Sequence, residues 1–248
     1  MKSGFQTLLI FAGSVFIFGI SSANAQVYIA FGDSITWGVG DDNLTNGKGF
    51  PPILSQLIGS IVINAGDSGD MSKDGVNKIS TVLSNNPNAT HVLIQFGTND
   101  ARASDSVSVE NYKTNISKII KAVKDAGKQP LLAKIPILYR GKDSMKPPCD
   151  AASASAIAVN QRIREYNTVV EQLITKYNLE VAPGHPLTSP DFYSYFEKTL
   201  IDSDGKSLEF SDCIHPNDAG YKSMAVQWKA ALQVPPALNP PKNPKIIQ

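Results

Sequence analysis

Val27-Tyr28-Ile29-Ala30-Phe31, closed by Gly32-Asp33-Ser34, is the stretch that decides the fold. An unbroken apolar run of this length, without polar alternation, has the pattern of a strand buried on both faces, and such strands belong to parallel sheets covered by helices. The pattern recurs. Ile61-Val62-Ile63 ends at Asn64, His91-Val92-Leu93-Ile94-Gln95-Phe96 ends at Gly97, and Leu131-Leu132-Ala133-Lys134-Ile135 stops at Pro136. Leu179-Glu180-Val181-Ala182, ended by Pro183, gives a less apolar fifth run.

Helical periodicities lie between these runs. Tyr112, Ile116, Ile119, Ile120 and Val123 fall on one helical face, with Gly127 behind them as a C-terminal cap. Ile163, Tyr166, Val170, Leu173, Ile174 and Tyr177 repeat the spacing, as do Tyr221, Met224, Ala225, Trp228 and Leu232 after Asn217. Segments 52–58 and 74–84 predict shorter helices. Strands alternating with helices imply right-handed crossovers and an α/β fold, its parallel sheet of about five strands sandwiched between helices. In such sheets a site forms at the carboxyl ends of the strands, near the point where strand order switches.

The first 25 residues read differently. Lys2 precedes an apolar stretch from Leu8 to Phe18, and the segment closes on Ala23-Asn24-Ala25, the pattern of a secretory signal cleaved before Gln26. The apolar part is short for a membrane span, which disfavours an uncleaved anchor, so no stable membrane span is expected after cleavage. The expected location is secreted or periplasmic. Removing residues 1–25 takes away one of the 23 basic residues and none of the 22 acidic ones. A mature charge near zero offers no electrostatic reason for a nucleic-acid partner. Residues 26–234 suit one domain, and the proline-rich stretch 235–248 reads as a disordered tail. The two cysteines, Cys149 and Cys213, would meet an oxidising compartment, so a disulfide between them is favoured over a pair of buried thiols.

The chemistry sits where the strands end. Serine is a weak nucleophile until a base takes its proton, and that base needs an orienting carboxylate. Of the three histidines, His91 opens a strand at the far end of the sheet, and His185 lies in a loop with no carboxylate nearer than Glu180. His215 follows Asp212 by three residues, a spacing that lets both side chains point into one cleft. Gly-Asp-Ser occurs twice, at Gly32-Asp33-Ser34 and at Gly66-Asp67-Ser68-Gly69. The second copy invites comparison with chymotrypsin-like proteases, but their histidine and aspartate precede the serine and their fold is all-β. A Gly-x-Ser-x-Gly elbow is absent.

Phe31-Gly32-Asp33-Ser34, Asn64-Ala65-Gly66-Asp67-Ser68-Gly69, Gly97-Thr98-Asn99-Asp100 and Asp212-Cys213-Ile214-His215-Pro216-Asn217 together resemble the blocks of the SGNH hydrolases, also called GDSL lipases/esterases. The resemblance spans residues 27 to about 232. It implies a flavodoxin-like three-layer α/β/α sandwich that hydrolyses acyl esters without metal or organic cofactor. By position it implies Ser34 as nucleophile, Asp212 and His215 as its partners, and Ser34, Gly69 and Asn99 as oxyanion donors. The chemistry agrees, because the Ser34 and Gly69 N–H groups and the Asn99 amide can converge on a developing oxyanion. Asn99 bracing its loop, and Gly69 serving only as a turn glycine, are the alternatives. Asp33, Asp67, Asp70 and Asp100 read as braces for loop backbone.

The expected partner is a small-molecule or lipid acyl ester, of short-to-medium chain length. Lysophospholipase, thioesterase and carbohydrate acetylesterase activities are alternatives on the same triad. A non-catalytic binding module is the rival of another class, disfavoured because all five positions are filled. Trp37, Tyr139, Phe192, Tyr193, Tyr195 and Phe196 can line an acyl pocket or pack the core. Loop 137–155 borders the cleft in this topology, and a Cys149–Cys213 bridge would tie it to the His215 turn.

Overall fold

The computed structural model describes residues 26–43, 47–103, 107–138, 154–179, 189–198 and 209–232. Among the described residues, four parallel strands form the sheet: β1 (Val27–Gly32), β2 (Ile61–Gly66), β3 (His91–Gln95) and β4 (Gln129–Leu132), in the order β2-β1-β3-β4. Register is continuous, with Gly32 opposite both Gly66 and Gln95. The chain moves outward from β1 to β2, then crosses back to β3, so the order reverses between β1 and β3. From the fifth apolar run only Leu179 is described, and it is buried.

Eight helices occur among the described residues: α1 (Ser34–Trp37), α2 (Phe50–Ile58), α3 (Ser72–Asn85), α4 (Thr98–Arg102), α5 (Val109–Asp125), α6 (Ala154–Tyr177), α7 (Phe192–Glu197) and α8 (Asp218–Leu232). α2 packs on α8, and α3 packs on α5, which also meets α6. Right-handed crossovers put these two groups on opposite faces of the sheet, giving the three-layer sandwich. The periodic residues Tyr112, Ile116, Ile119, Ile120 and Val123 are all buried, as are Ile163, Tyr166, Val170, Leu173 and Ile174. Ser108 caps α5 by accepting from the Asn111 N–H, and Asn217 opens α8 by accepting from the Gly220 N–H.

β4 begins earlier and stops sooner than its apolar run suggests. Ala133 still donates to the Ile94 carbonyl, but Lys134 donates to Pro190, so the chain turns to a new neighbour. Beyond it, α6 holds the backbone with two buried asparagines. Asn167 accepts from the Ile135 N–H and donates to its carbonyl, and Asn160 does the same for Leu138. Each side-chain amide thus replaces a missing strand partner for buried backbone.

Trp228 joins three elements, packing on Phe50 of α2 and edge-on against Phe192 of α7 from its seat in α8. It is fully buried, and its indole Nε1 has no acceptor among the described residues. Trp228→Ala is expected to cost about 3–5 kcal/mol in urea melts. Trp228→Phe should cost clearly less, because it keeps most of the contact and removes an unpaired donor. Equal losses for both would show that the indole nitrogen matters more than the packing.

Candidate active site

Ser34 is the first residue of α1, separated from the end of β1 by Asp33 alone. Asp33 caps the turn by accepting from the Ile35 N–H at 3.0 Å. The turn rests directly on strand backbone. A Cβ on Gly32 would lie 2.1 Å from the Thr36 hydroxyl and 2.3 Å from the Gln95 carbonyl, and one on Gly66 would lie 2.3 Å from the Trp37 nitrogen. Only glycine permits that approach.

The His215 turn is built separately and closed on itself. Ser211 donates to the His215 carbonyl, Asn217 donates to that of Glu209, and Phe210 pairs with Pro216 across the turn. Asp212 Oδ1 accepts from the Ile214 and His215 N–H groups, both at 2.7 Å. That leaves Oδ2 aimed at His215 Nδ1, 2.8 Å away, while Nε2 lies 2.9 Å from Ser34 Oγ. Burial alone would raise the Asp212 carboxyl, but its hydrogen bonds from His215 and Ile214 and the imidazole charge hold it below its ordinary value. Tyr221, on α8, donates to the Val39 carbonyl and locks this unit to the loop after α1.

Gly69 has φ 86°, a left-handed conformation that favours glycine, and nothing lies within 4 Å of where its Cβ would be. Its backbone therefore fronts open space. Asn99 donates through Nδ2 to the Asp70 carbonyl at 2.9 Å, so it does brace the Gly69 loop, and its second amide hydrogen remains to serve another acceptor. Neither the Ser34 nor the Gly69 N–H has an acceptor among the described residues. Bracing and oxyanion donation are thus compatible in Asn99.

The acidic residues divide. Asp100 accepts from the Ser72 N–H and hydroxyl, and burial raises its carboxyl. Asp67 and Asp70 depart from the expectation of backbone bracing: both side chains pair with Lys78. Asp33 is fully buried with Oδ2 unpartnered, and burial pushes its carboxyl up to about 7.

The remaining sequence candidates lie elsewhere. Ser68 is exposed on the Gly69 loop, and His91 stacks on Tyr28 at the opposite end of the sheet. His185, Tyr139 and Cys149 lie outside the described residues. Phe192 and Phe196 belong to the core, Tyr193 accepts from Arg164, and Tyr195 bonds to Glu209 and Ser223. Trp37 is 44 % exposed beneath Lys48. Cys213 is fully buried between Asp212 and His215. A cleft of about 330 Å³ involving Lys134, Arg164, Glu171 and Asp191 contains none of the triad residues, and Lys134 there is paired with both Glu171 and Asp191. Sequence reasoning missed Arg102. Burial lowers its guanidinium, while the Asp212 and Asp33 charges oppose that shift. Its only sequence signal is its place three residues after Asn99.

A serine oxygen, an imidazole and a carboxylate in one hydrogen-bonded line, at the strand ends of a three-layer sandwich, define a serine-hydrolase type of site. The chain belongs to the GDSL-like lipase/acylhydrolase family, whose model matches residues 28–228, and it is a carboxylic ester hydrolase. Solved structures share the fold. A Mycobacterium smegmatis aryl esterase is 18% identical, with 84% of this chain and 100% of that one covered and a TM-score of 0.61. An acetyl xylan esterase is 21% identical over 83% and 98%, with a TM-score of 0.61. An Enterococcus faecalis lipase/acylhydrolase is 22% identical over 86% and 99%, with a TM-score of 0.59. No curated protein sequence matches the chain.

The raised Asp33 carboxyl has a consequence for stability. Between its ordinary 3.8 and about 7 the folded protein holds the proton more tightly than the unfolded chain does. Its stabilising contribution is therefore present at acid pH and is lost as pH rises through about 7. Asp33→Asn, which keeps an oxygen for Ile35, should gain on the wild type by up to ~4 kcal/mol between pH 4 and pH 8. Parallel stability curves in urea melts would contradict a raised Asp33.

Proposed function

We propose that the protein is an exported serine esterase that cleaves short-to-medium acyl esters through an acyl-enzyme on Ser34. The observation that carries this reading is the unbroken line from Asp212 Oδ2 through both His215 nitrogens to Ser34 Oγ, with steps of 2.8 and 2.9 Å. Asp212 fixes the tautomer with the proton on Nδ1, leaving Nε2 as the base. As Ser34 Oγ attacks the ester carbonyl, His215 takes its proton, and the carbonyl oxygen becomes an oxyanion facing the Ser34 and Gly69 N–H groups and the Asn99 amide. Collapse expels the alcohol, which receives the proton from His215. Water, deprotonated by the same imidazole, then releases the acid and restores Ser34.

Ser34→Ala should abolish p-nitrophenyl ester turnover with an unchanged melting temperature, and Ser68→Ala should keep most of it. The reverse pattern would assign the nucleophile to the second Gly-Asp-Ser. A panel of p-nitrophenyl esters, acetylated sugars, lysolipids and acyl-thioesters separates the short-to-medium acyl preference from its alternatives.

Asn99→Ala should lower kcat by on the order of 10²–10³ with little change in KM, since the oxyanion contact strengthens in the transition state. A large rise in KM at normal kcat would mean that Asn99 binds substrate instead.

Export through residues 1–25 and a Cys149–Cys213 bridge complete the proposal. The bridge would fasten loop 137–155 to the turn holding Asp212 and His215, and chain entropy puts its stabilisation near roughly 4 kcal/mol. Intact mass of the exported protein under denaturing alkylation tests both points. A chain beginning at Gln26 that takes up no alkyl groups before reduction and two after it is expected. Two alkylated cysteines without reductant would rule out the bridge, and a retained leader would rule out cleavage.

A further inference from the structure

Arg102 ends α4, three residues after Asn99, so the two side chains leave the same side of one helical turn. Asn99 reaches the Gly69 loop, and Arg102 sits within the electrostatic reach of Asp212 and Asp33. Yet its guanidinium makes no hydrogen bond or ion pair among the described residues, and its Nε is buried without a partner. Neither neighbouring acid forms an ion pair with it among the described residues. Asp212 uses both oxygens on His215 and Ile214, whereas Asp33 spends Oδ1 on Ile35 and leaves Oδ2 without a partner. At neutral pH, moreover, the raised Asp33 withdraws part of its charge.

An arginine presents five donors in a planar fork that fits a carboxylate in two-point contact. Leaving such a group partly buried and unpaired is costly, and an anionic group arriving beside it relieves that cost. We propose that Arg102 is a specificity-determining residue that receives a carboxylate of the ester substrate beside the Ser34–His215 pair. This rests on the Ser34 esterase reading. The carboxylate belongs either to the acyl part or to the alcohol part of the ester, and the test has an arm for each.

The mono-4-nitrophenyl ester of adipic acid carries its charge on the acyl side, with 4-nitrophenyl hexanoate as neutral counterpart. 4-Acetoxybenzoate carries it on the alcohol side, with its methyl ester as counterpart. Arg102→Gln, checked for folding by circular dichroism, should lower kcat/KM for one acidic ester about 10- to 100-fold, mainly through KM, the range for one hydrogen bond to a charged group. Both neutral esters should change less than about threefold, and Arg102→Lys should restore part of the loss. In the wild type, raising the salt should depress turnover of the same acidic ester and spare its neutral counterpart. Equal loss on acidic and neutral esters would overturn the proposal and make Arg102 a support for the triad. No loss on either acidic ester, or no salt discrimination in the wild type, would also overturn it. Failure of the esterase reading itself would look different, because Ser34→Ala would then still cleave the neutral esters.

Discussion

The turn that carries Ser34 lies directly against the backbone of β1 and β2, and everything else at the site is referenced to that contact. Gly32 and Gly66 face each other in register at the ends of these strands, and any side chain on either would strike α1 or the Gln95 carbonyl. With the turn seated, Ser34 Oγ has a fixed height above the sheet. The His215 turn, the Gly69 loop and α4 then approach it from different parts of the chain. Tyr221 bonded to Val39 and Trp228 packed under α2 keep the His215 side in place.

Much of this was legible in the sequence because it depends on local pattern. Apolar runs mark β1 and β3 closely and the first half of β2, which continues through Asn64-Ala65-Gly66, and one-face periodicity picks out buried residues of α5, α6 and α8. Ser34, Asp212 and His215 could be chosen by motif and spacing, and the structure brings those three into hydrogen-bonded contact. What escaped has a tertiary cause. α1 and α4 are single turns, too short for periodicity to register. Lys134 leaves β3 for Pro190 because of a neighbour far along the chain, and Asn160 and Asn167 look like ordinary helix-surface residues until their backbone partners are seen. The loop alone gives Asp67 and Asp70 the look of backbone braces, whereas Lys78, almost two helix turns into α3, decides their role.

Electrostatics at the site is a matter of sorting buried carboxylates by their partners. Asp212, rich in hydrogen bonds, is held as a carboxylate, which is what an orienting group for an imidazole must be. Asp33 and Asp100 are raised by burial, and Asp33, with one oxygen unpartnered, is the more extreme. Asp33 is tolerated because its other oxygen caps the Ser34 turn. Arg102 feels the charges of Asp212 and Asp33, and its buried Nε has no partner among the described residues.

The central claim is that Ser34 Oγ becomes covalently acylated by the ester. Intact-protein mass spectrometry of enzyme quenched in acid during turnover of a p-nitrophenyl ester, followed by peptide mapping, tests it most directly. An adduct of the acyl mass on the peptide containing Ser34, absent from Ser34→Ala and appearing with a burst of nitrophenol, is the expected result. An adduct on the peptide containing Ser68, or turnover with no burst and no covalent species under conditions where deacylation is slow, would contradict it.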